Sequence, residues 1–131
     1  MITTKTDLQT LLRHVQPVLQ DGVYVFAMTD LSLQDAAALN PVQVFREEEG
    51  TALILQKDMA EHHGIAYRYP ARMITLNAYS ALDAVGFLAA ITRVLADAGI
   101  SVNPVSAFYH DHLFVPEERA DEAMALLRDF M

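Results

Sequence analysis

His110 and His112 are two residues apart in a run that reads as a strand, so their side chains share one face while Asp111 takes the other. Imidazoles in that arrangement could ligate a metal or, with Asp111, move a proton. A zinc site needs three or four converging ligands, and only this pair is so arranged. His62 and His63 are adjacent in a helical stretch and diverge by about 100°. A half-buried histidine hydrogen-bonded to backbone is the plainer reading of His110 and His112. The run Glu47-Glu48-Glu49 could clamp a cationic group, but a solvated turn explains it as well. No Ser-His-Asp spacing, glycine-rich phosphate loop or HExxH motif occurs. With no cysteine in the chain, thiolate chemistry and disulfides are excluded. Neither a catalytic residue nor a cofactor is expected.

The elements that must position any site can be read from periodicity. Asp7 to Leu19 repeats Leu8, Leu11, Leu12, Val15 and Leu19 at helical spacing, with Pro17 disturbing its last turn. Val23 to Met28 is a short β-branched and aromatic run, a strand buried on both faces. Leu31 to Leu39 is a short helical or irregular piece stopped by Asn40-Pro41. Val42 to Arg46 and Thr51 to Gln56 form a hairpin across a four-residue loop, Glu47 to Gly50. Lys57 to His63 is a short helix with Gly64 just past it. A strand begins at Ile65 and is broken or bent at Pro70.

In the second half, Arg72 to Ala78 is a strand and Ala84 to Ala98 the strongest helix. Ala84, Phe87, Leu88, Ile91, Leu95 and Ala98 lie on its one face. Ser80 and Asp83 have the spacing of a capping box, with Asp in place of Glu. Ser101 to Phe108 and His110 to Val115 are strands, and Pro104 marks the first as an edge or a bulge. Pro116 starts a last helix that buries Ala120, Ala123, Met124 and Leu127. Each half thus holds a β-α-β-β-α core. The fold class is α+β: two tandem ferredoxin-like βαββαβ units packed on antiparallel sheet, divided as residues 1–70 and 71–131. After the last helix no residues remain for a fourth strand in the second unit. Either that strand is absent, or another part of the chain or a second subunit completes the sheet.

Bulk composition narrows the partners. The 131 residues are 53% hydrophobic and 20% charged, enough for a sizeable core. Net charge is −8, and the nine basic residues are scattered. A phosphate-backbone binder concentrates Lys and Arg, so no nucleic acid is expected, and an anionic membrane surface is disfavoured too. No apolar run approaches the roughly 18–20 residues of a membrane span. A soluble, cytoplasmic location is the default expectation.

The stretch from Met73 to Met131 resembles an ACT domain. Ser80-Ala81-Leu82-Asp83-Ala84-Val85-Gly86-Phe87-Leu88 carries the resemblance, followed by Leu95-Ala96-Asp97-Ala98-Gly99-Ile100-Ser101-Val102-Asn103 and Asp111-His112-Leu113-Phe114-Val115-Pro116. The features are a short loop after the first strand, a glycine in the first helical turn, an AGI turn into the second strand and a DH lead into the third. With Phe45 to Thr51 and His63 to Tyr67 added, the whole chain resembles small stand-alone bacterial double-ACT proteins. The first unit is the divergent one.

The resemblance implies a regulatory protein that binds a free amino acid at an interface between paired ACT units, as a homodimer acting on a separate metabolic enzyme. The ligand's carboxylate needs N–H donors, and the unpaired first-turn amides of the Ala84 helix offer them at the positive end of the helix dipole. Gly86 lets a ligand approach the backbone closely, although close packing against a strand would explain this glycine equally well. Asp83 could accept from the ligand ammonium, or only cap the helix. Asn103 can both donate and accept, or is a strand-start turn residue. Asp83, Val85, Gly86, Phe87 and Asn103 are the candidate ligand-binding residues that the resemblance implies. Two other readings stay open: a homodimeric interaction module with no ligand, and a small metal-dependent enzyme using His110 and His112.

Overall fold

Alternation decides the first unit. In Tyr24–Thr29 and Gly50–Gln56, residues Val25, Ala27, Leu53 and Leu55 are buried together, because successive side chains of a strand take opposite faces. The computed structural model of the protein describes residues 5–77 and 84–131. Its contacts divide the chain into two units, Asp21–Ala71 and Met1–Gln20 with Arg72–Met131.

The Asp21–Ala71 unit runs β2 (Tyr24–Thr29), α2 (Leu33–Ala37), β3 (Gln43–Glu47), β4 (Gly50–Gln56), α3 (Lys57–His62) and the opening of β5 (Arg68–Asn77). The strand order β3-β4-β2-β5, antiparallel throughout, is that of a βαββαβ fold. Ala36, Leu39 and Ala60 close the core over Val25, Ala27, Leu53 and Leu55. Ser32 opens α2, its Oγ accepting from the Asp35 amide at 3.1 Å.

Two details differ from the sequence reading. The hairpin loop is tighter than four residues, since Glu47 pairs with Gly50 and only Glu48 and Glu49 turn the chain. Gly50 has φ +154°, and a Cβ there would lie 2.5 Å from the Thr29 carbonyl oxygen, so the hairpin closes against backbone that only glycine tolerates. Of a break or a bend at Pro70 the structure has the bend, and β5 runs from Arg68, not Ile65, to Asn77. The chain absorbs the proline with a register shift against β2, where Tyr24 faces Ala71 and Phe26 faces Arg68, and Tyr69 takes φ +62°.

The other unit contains α1 (Lys5–His14), β1 (Gln16–Leu19), β5 from Arg72 onward, α4 (Phe87–Asp97), β6 (Asn103–Ser106), β7 (Asp111–Pro116), a 3₁₀ turn (Glu117–Arg119) and α5 (Ala120–Phe130). Its strand order is β1-β5-β7-β6. The strand missing after the last helix is supplied by the start of the chain: β1 pairs antiparallel with β5, Val18 facing Thr75 and Leu19 facing Ile74. The helix expected over Asp7 to Leu19 therefore ends at His14. Pro17 marks the change, because it lacks the N–H that a helix interior needs but is tolerated on an edge strand. The contacts of this helix and strand are with this unit.

The core of this unit is what the periodicity implied. Ile74 and Leu76 of β5 and Leu113 and Val115 of β7 meet Phe87, Ile91 and Leu95 of α4 and Ala120, Ala123, Met124 and Leu127 of α5. Leu8, Leu11 and Leu12 of α1 pack against them, half-buried.

Candidate functional site

The helix expected from Ala84 begins at Phe87, because Gly86 sits at its N-cap with φ +88°. A residue with a Cβ resists that left-handed conformation, so the glycine sets where the helix starts. Among the described residues no side chain caps α4 by a hydrogen bond. The expected capping pair Ser80 and Asp83, and with it Asp83 as a ligand-binding residue, lies outside the described residues.

The remaining candidates separate by exposure. Val85 is 67% exposed just before the helix, whereas the Phe87 ring is 3% exposed within the core. Phe87 can thus offer a ligand its backbone amide but not its ring. Asn103 is exposed as the first residue of β6 and pairs with Phe114. Its neighbours Val102 and Pro104 line a shallow depression of about 410 Å³ together with Ala89, Thr92, Arg93 and Ala96 of α4. Helix and strand therefore share an open flank.

A contact between residues distant in the chain bears on this corner. A Cβ on Gly86 would lie 3.4 Å from Leu8 Cδ2, at ordinary van der Waals range. One side of the glycine is already met by α1. Leu8 belongs to the helical repeat that defines α1, but its contact with a residue far along the chain carries no local signature.

The histidine pair has a second context. His112 Nδ1 lies 2.9 Å from Thr75 Oγ1, and Gln20 Nε2 donates to the same hydroxyl at 3.0 Å. The hydroxyl either gives its proton to Nδ1 or accepts one from it, according to the His112 tautomer. Burial lowers the His112 pKa, and His110 lowers it further. Asp111 pulls the other way. The ring centroids of His110 and His112 are 6.3 Å apart. Asp111 accepts from Ser106 Oγ at 2.6 Å. Among the described residues no group of three His, Asp or Glu side chains converges on a point that could hold a metal ion. The acidic run Glu47-Glu48-Glu49 is exposed at the hairpin.

Comparison with known proteins bears on the whole chain. Residues 3–72 match one ACT-domain family model and residues 68–129 match a second. A Vibrio cholerae protein of unknown function is 38% identical over 95% of this chain and 96% of its own, with a TM-score of 0.88. The ligand-free regulatory subunit of aspartate kinase from Thermus thermophilus shares the fold at 12% identity, TM-score 0.65, over 88% of this chain and 95% of that one. Aspartokinase III from E. coli, solved with aspartate and ADP, matches at 12% identity and TM-score 0.58, over 92% of this chain but 34% of the enzyme. No curated protein sequence matches.

Proposed function

The chain belongs to the ACT-domain family, and from that premise we propose that it is a small regulatory sensor that binds a free amino acid and acts on a separate metabolic enzyme. ACT domains are regulatory modules, and no chemistry is assigned to this chain. The proposal places the ligand at the start of α4, where Val85, Gly86 and the Phe87 amide meet its carboxylate and Asp83 and Asn103 address its ammonium. The observation that carries it is the glycine N-cap: Gly86 at φ +88° starts α4 with no side-chain hydrogen bond to its amides among the described residues. Donors at that end of a helix favour an anionic group.

In this reading the site is completed by pairing of ACT units in a cytoplasmic homodimer. The outer strand β3 supports self-association, because Val42, Val44 and Phe45 are exposed beside or on it. Binding acts on the partner enzyme through different affinities for two arrangements of the paired units.

A thermal-shift series with the free amino acids tests the proposal. An amino acid at about a hundred times its dissociation constant stabilises the fold by about 2.7 kcal/mol, a shift of several degrees. Asn103→Ala and Gly86→Asn should each remove the response. Asparagine tolerates positive φ better than other side chains, so Gly86→Asn obstructs the corner while leaving α4 in place. A flat response to every amino acid, with the protein dimeric, would favour the interaction module instead.

A further inference from the structure

The Asp21–Ala71 unit carries its own hollow, on the sheet face away from α2 and α3. Phe26, Met28, Ala52 and Ile54 form the floor of a depression of about 280 Å³, and Gln43, Glu47 and Arg68 stand around it. The registers place Gln43, Ile54, Phe26 and Arg68 in one row across β3, β4, β2 and β5. Three strand spacings of about 4.8 Å separate the backbones of Gln43 and Arg68, roughly 14 Å in all. Much of that gap is spanned by the side chains, and the middle is apolar.

Three features of this hollow are unexplained by folding. Gln43 Oε1 is buried with no hydrogen-bond donor among the described residues, a state that folded proteins ordinarily avoid. Arg68 and Glu47 are both exposed, and neither takes part in the ion pairs of the described residues, Arg93–Asp97 and Arg119–Glu122. Met28 lies on the floor with 48% of its surface exposed. A cation on β5, a carboxylate on β3 and an apolar floor between them describe the complement of one kind of molecule.

We propose that this hollow binds a small linear zwitterion whose ammonium and carboxylate are separated by an apolar spacer, such as an ω-amino acid or a short dipeptide. Its carboxylate meets the Arg68 guanidinium. Its ammonium donates to the Glu47 carboxylate, and its spacer covers Phe26, Met28 and Ile54. An α-amino acid with an uncharged side chain carries both charges on one carbon and cannot reach both sides. The volume lies just below the range of about 300–1,000 Å³ common for drug-sized ligands, which suits a ligand of this size. This site is independent of the one at α4.

Amide chemical-shift titration of the full chain with 6-aminohexanoate tests it, with hexanoate and hexylamine as ligands that each lack one charge. Saturable shifts centred on residues 26–28, 43–47 and 52–54 are expected, with both single-charge ligands weaker by about tenfold. Arg68→Gln should reduce 6-aminohexanoate to the level of hexylamine, and Glu47→Gln to the level of hexanoate. Both residues are exposed, so the fold survives either change. The absence of saturable shifts at these strands, equal binding of a single-charge ligand, or unchanged affinity in both variants overturns the proposal.

Discussion

The Thr75 hydroxyl and the His112 ring are hydrogen-bonded, 2.9 Å from Oγ1 to Nδ1, and the bond joins β5 to β7. Gln20, directly after β1, donates to the same hydroxyl, so one oxygen ties three strands of the sheet. Thr75 is 8% exposed, and its removal would strand two partners. Thr75→Val should destabilise the protein by about 1–3 kcal/mol in urea denaturation, while Thr75→Ser should retain most of the stability. Equal stability of the valine variant would show that water replaces the hydroxyl.

The burial of His112 makes stability depend on pH. His112 has a folded pKa below its ordinary value of 6.5, chiefly because it is partly buried. The unfolded chain then binds more protons than the folded one between the two pKa values. Its contribution to stability is fully present above the unfolded pKa of about 6.5, is lost as pH falls toward the folded value, and is level below that. Denaturation midpoints measured from pH 8 to pH 5 should decline across this window for the wild type. His112→Gln should flatten the decline, and an unaltered slope would assign it to other groups.

Two glycines at turns separate backbone strain from steric overlap. Gly99 has φ +73° with nothing near a Cβ, so Gly99→Ala should cost only the left-handed conformation, about 1–2 kcal/mol. Gly50→Ala adds a Cβ 2.5 Å from the Thr29 carbonyl oxygen, which belongs to backbone and cannot swing aside. It should lower the thermal midpoint distinctly further than Gly99→Ala. Similar losses would mean that the Glu48-Glu49 turn yields easily.

The core offers a sharper contrast within one helix. Leu127 of α5 is fully buried, and Phe130, three residues on, is 43% exposed. Leu127→Ala should cost about 2–5 kcal/mol by leaving a cavity. Phe130→Ala should stay within about 0.5 kcal/mol, as surface changes do. Equal losses, read from denaturant midpoints, would mean that Phe130 is covered by another chain in solution.

What was legible in the sequence follows the range of each signal. α4, α5, β2 and the β3–β4 hairpin are written in local periodicity and turn residues, and the core positions Ile91, Leu95, Ala123 and Leu127 fall where that periodicity puts them. β1 was not legible. Val15 and Leu19 extend the helical repeat from Leu8, and only pairing with residues about 55–61 positions away makes Gln16–Leu19 a strand. Pro70 reads locally as a break or a bend, and its strand survives through a bulge that depends on β2. At the α4 corner the glycine was visible, but its conformation, the contact with Leu8 and the burial of the Phe87 ring all come from tertiary packing.

The pairing of β1 with β5 makes the first residues of the chain part of the C-terminal unit, and that can be tested by removing them. Without β1, the side of β5 from Ile74 to Asn77 loses its antiparallel partner. Loss of α1 also uncovers the core surface met by Leu8, Leu11 and Leu12. An unpaired edge backed by bared apolar side chains is prone to aggregate. A chain beginning at Asp21 should therefore be poorly soluble or should lose its cooperative thermal transition, although it removes no residue of α4, β6, β7 or α5. A chain ending at Phe130 loses only Met131, which packs partly against the core, and should keep a cooperative transition at a slightly lower midpoint. If the chain beginning at Asp21 instead melts cooperatively near the wild-type midpoint, β1 is dispensable and the fourth strand of the second unit is not a structural requirement.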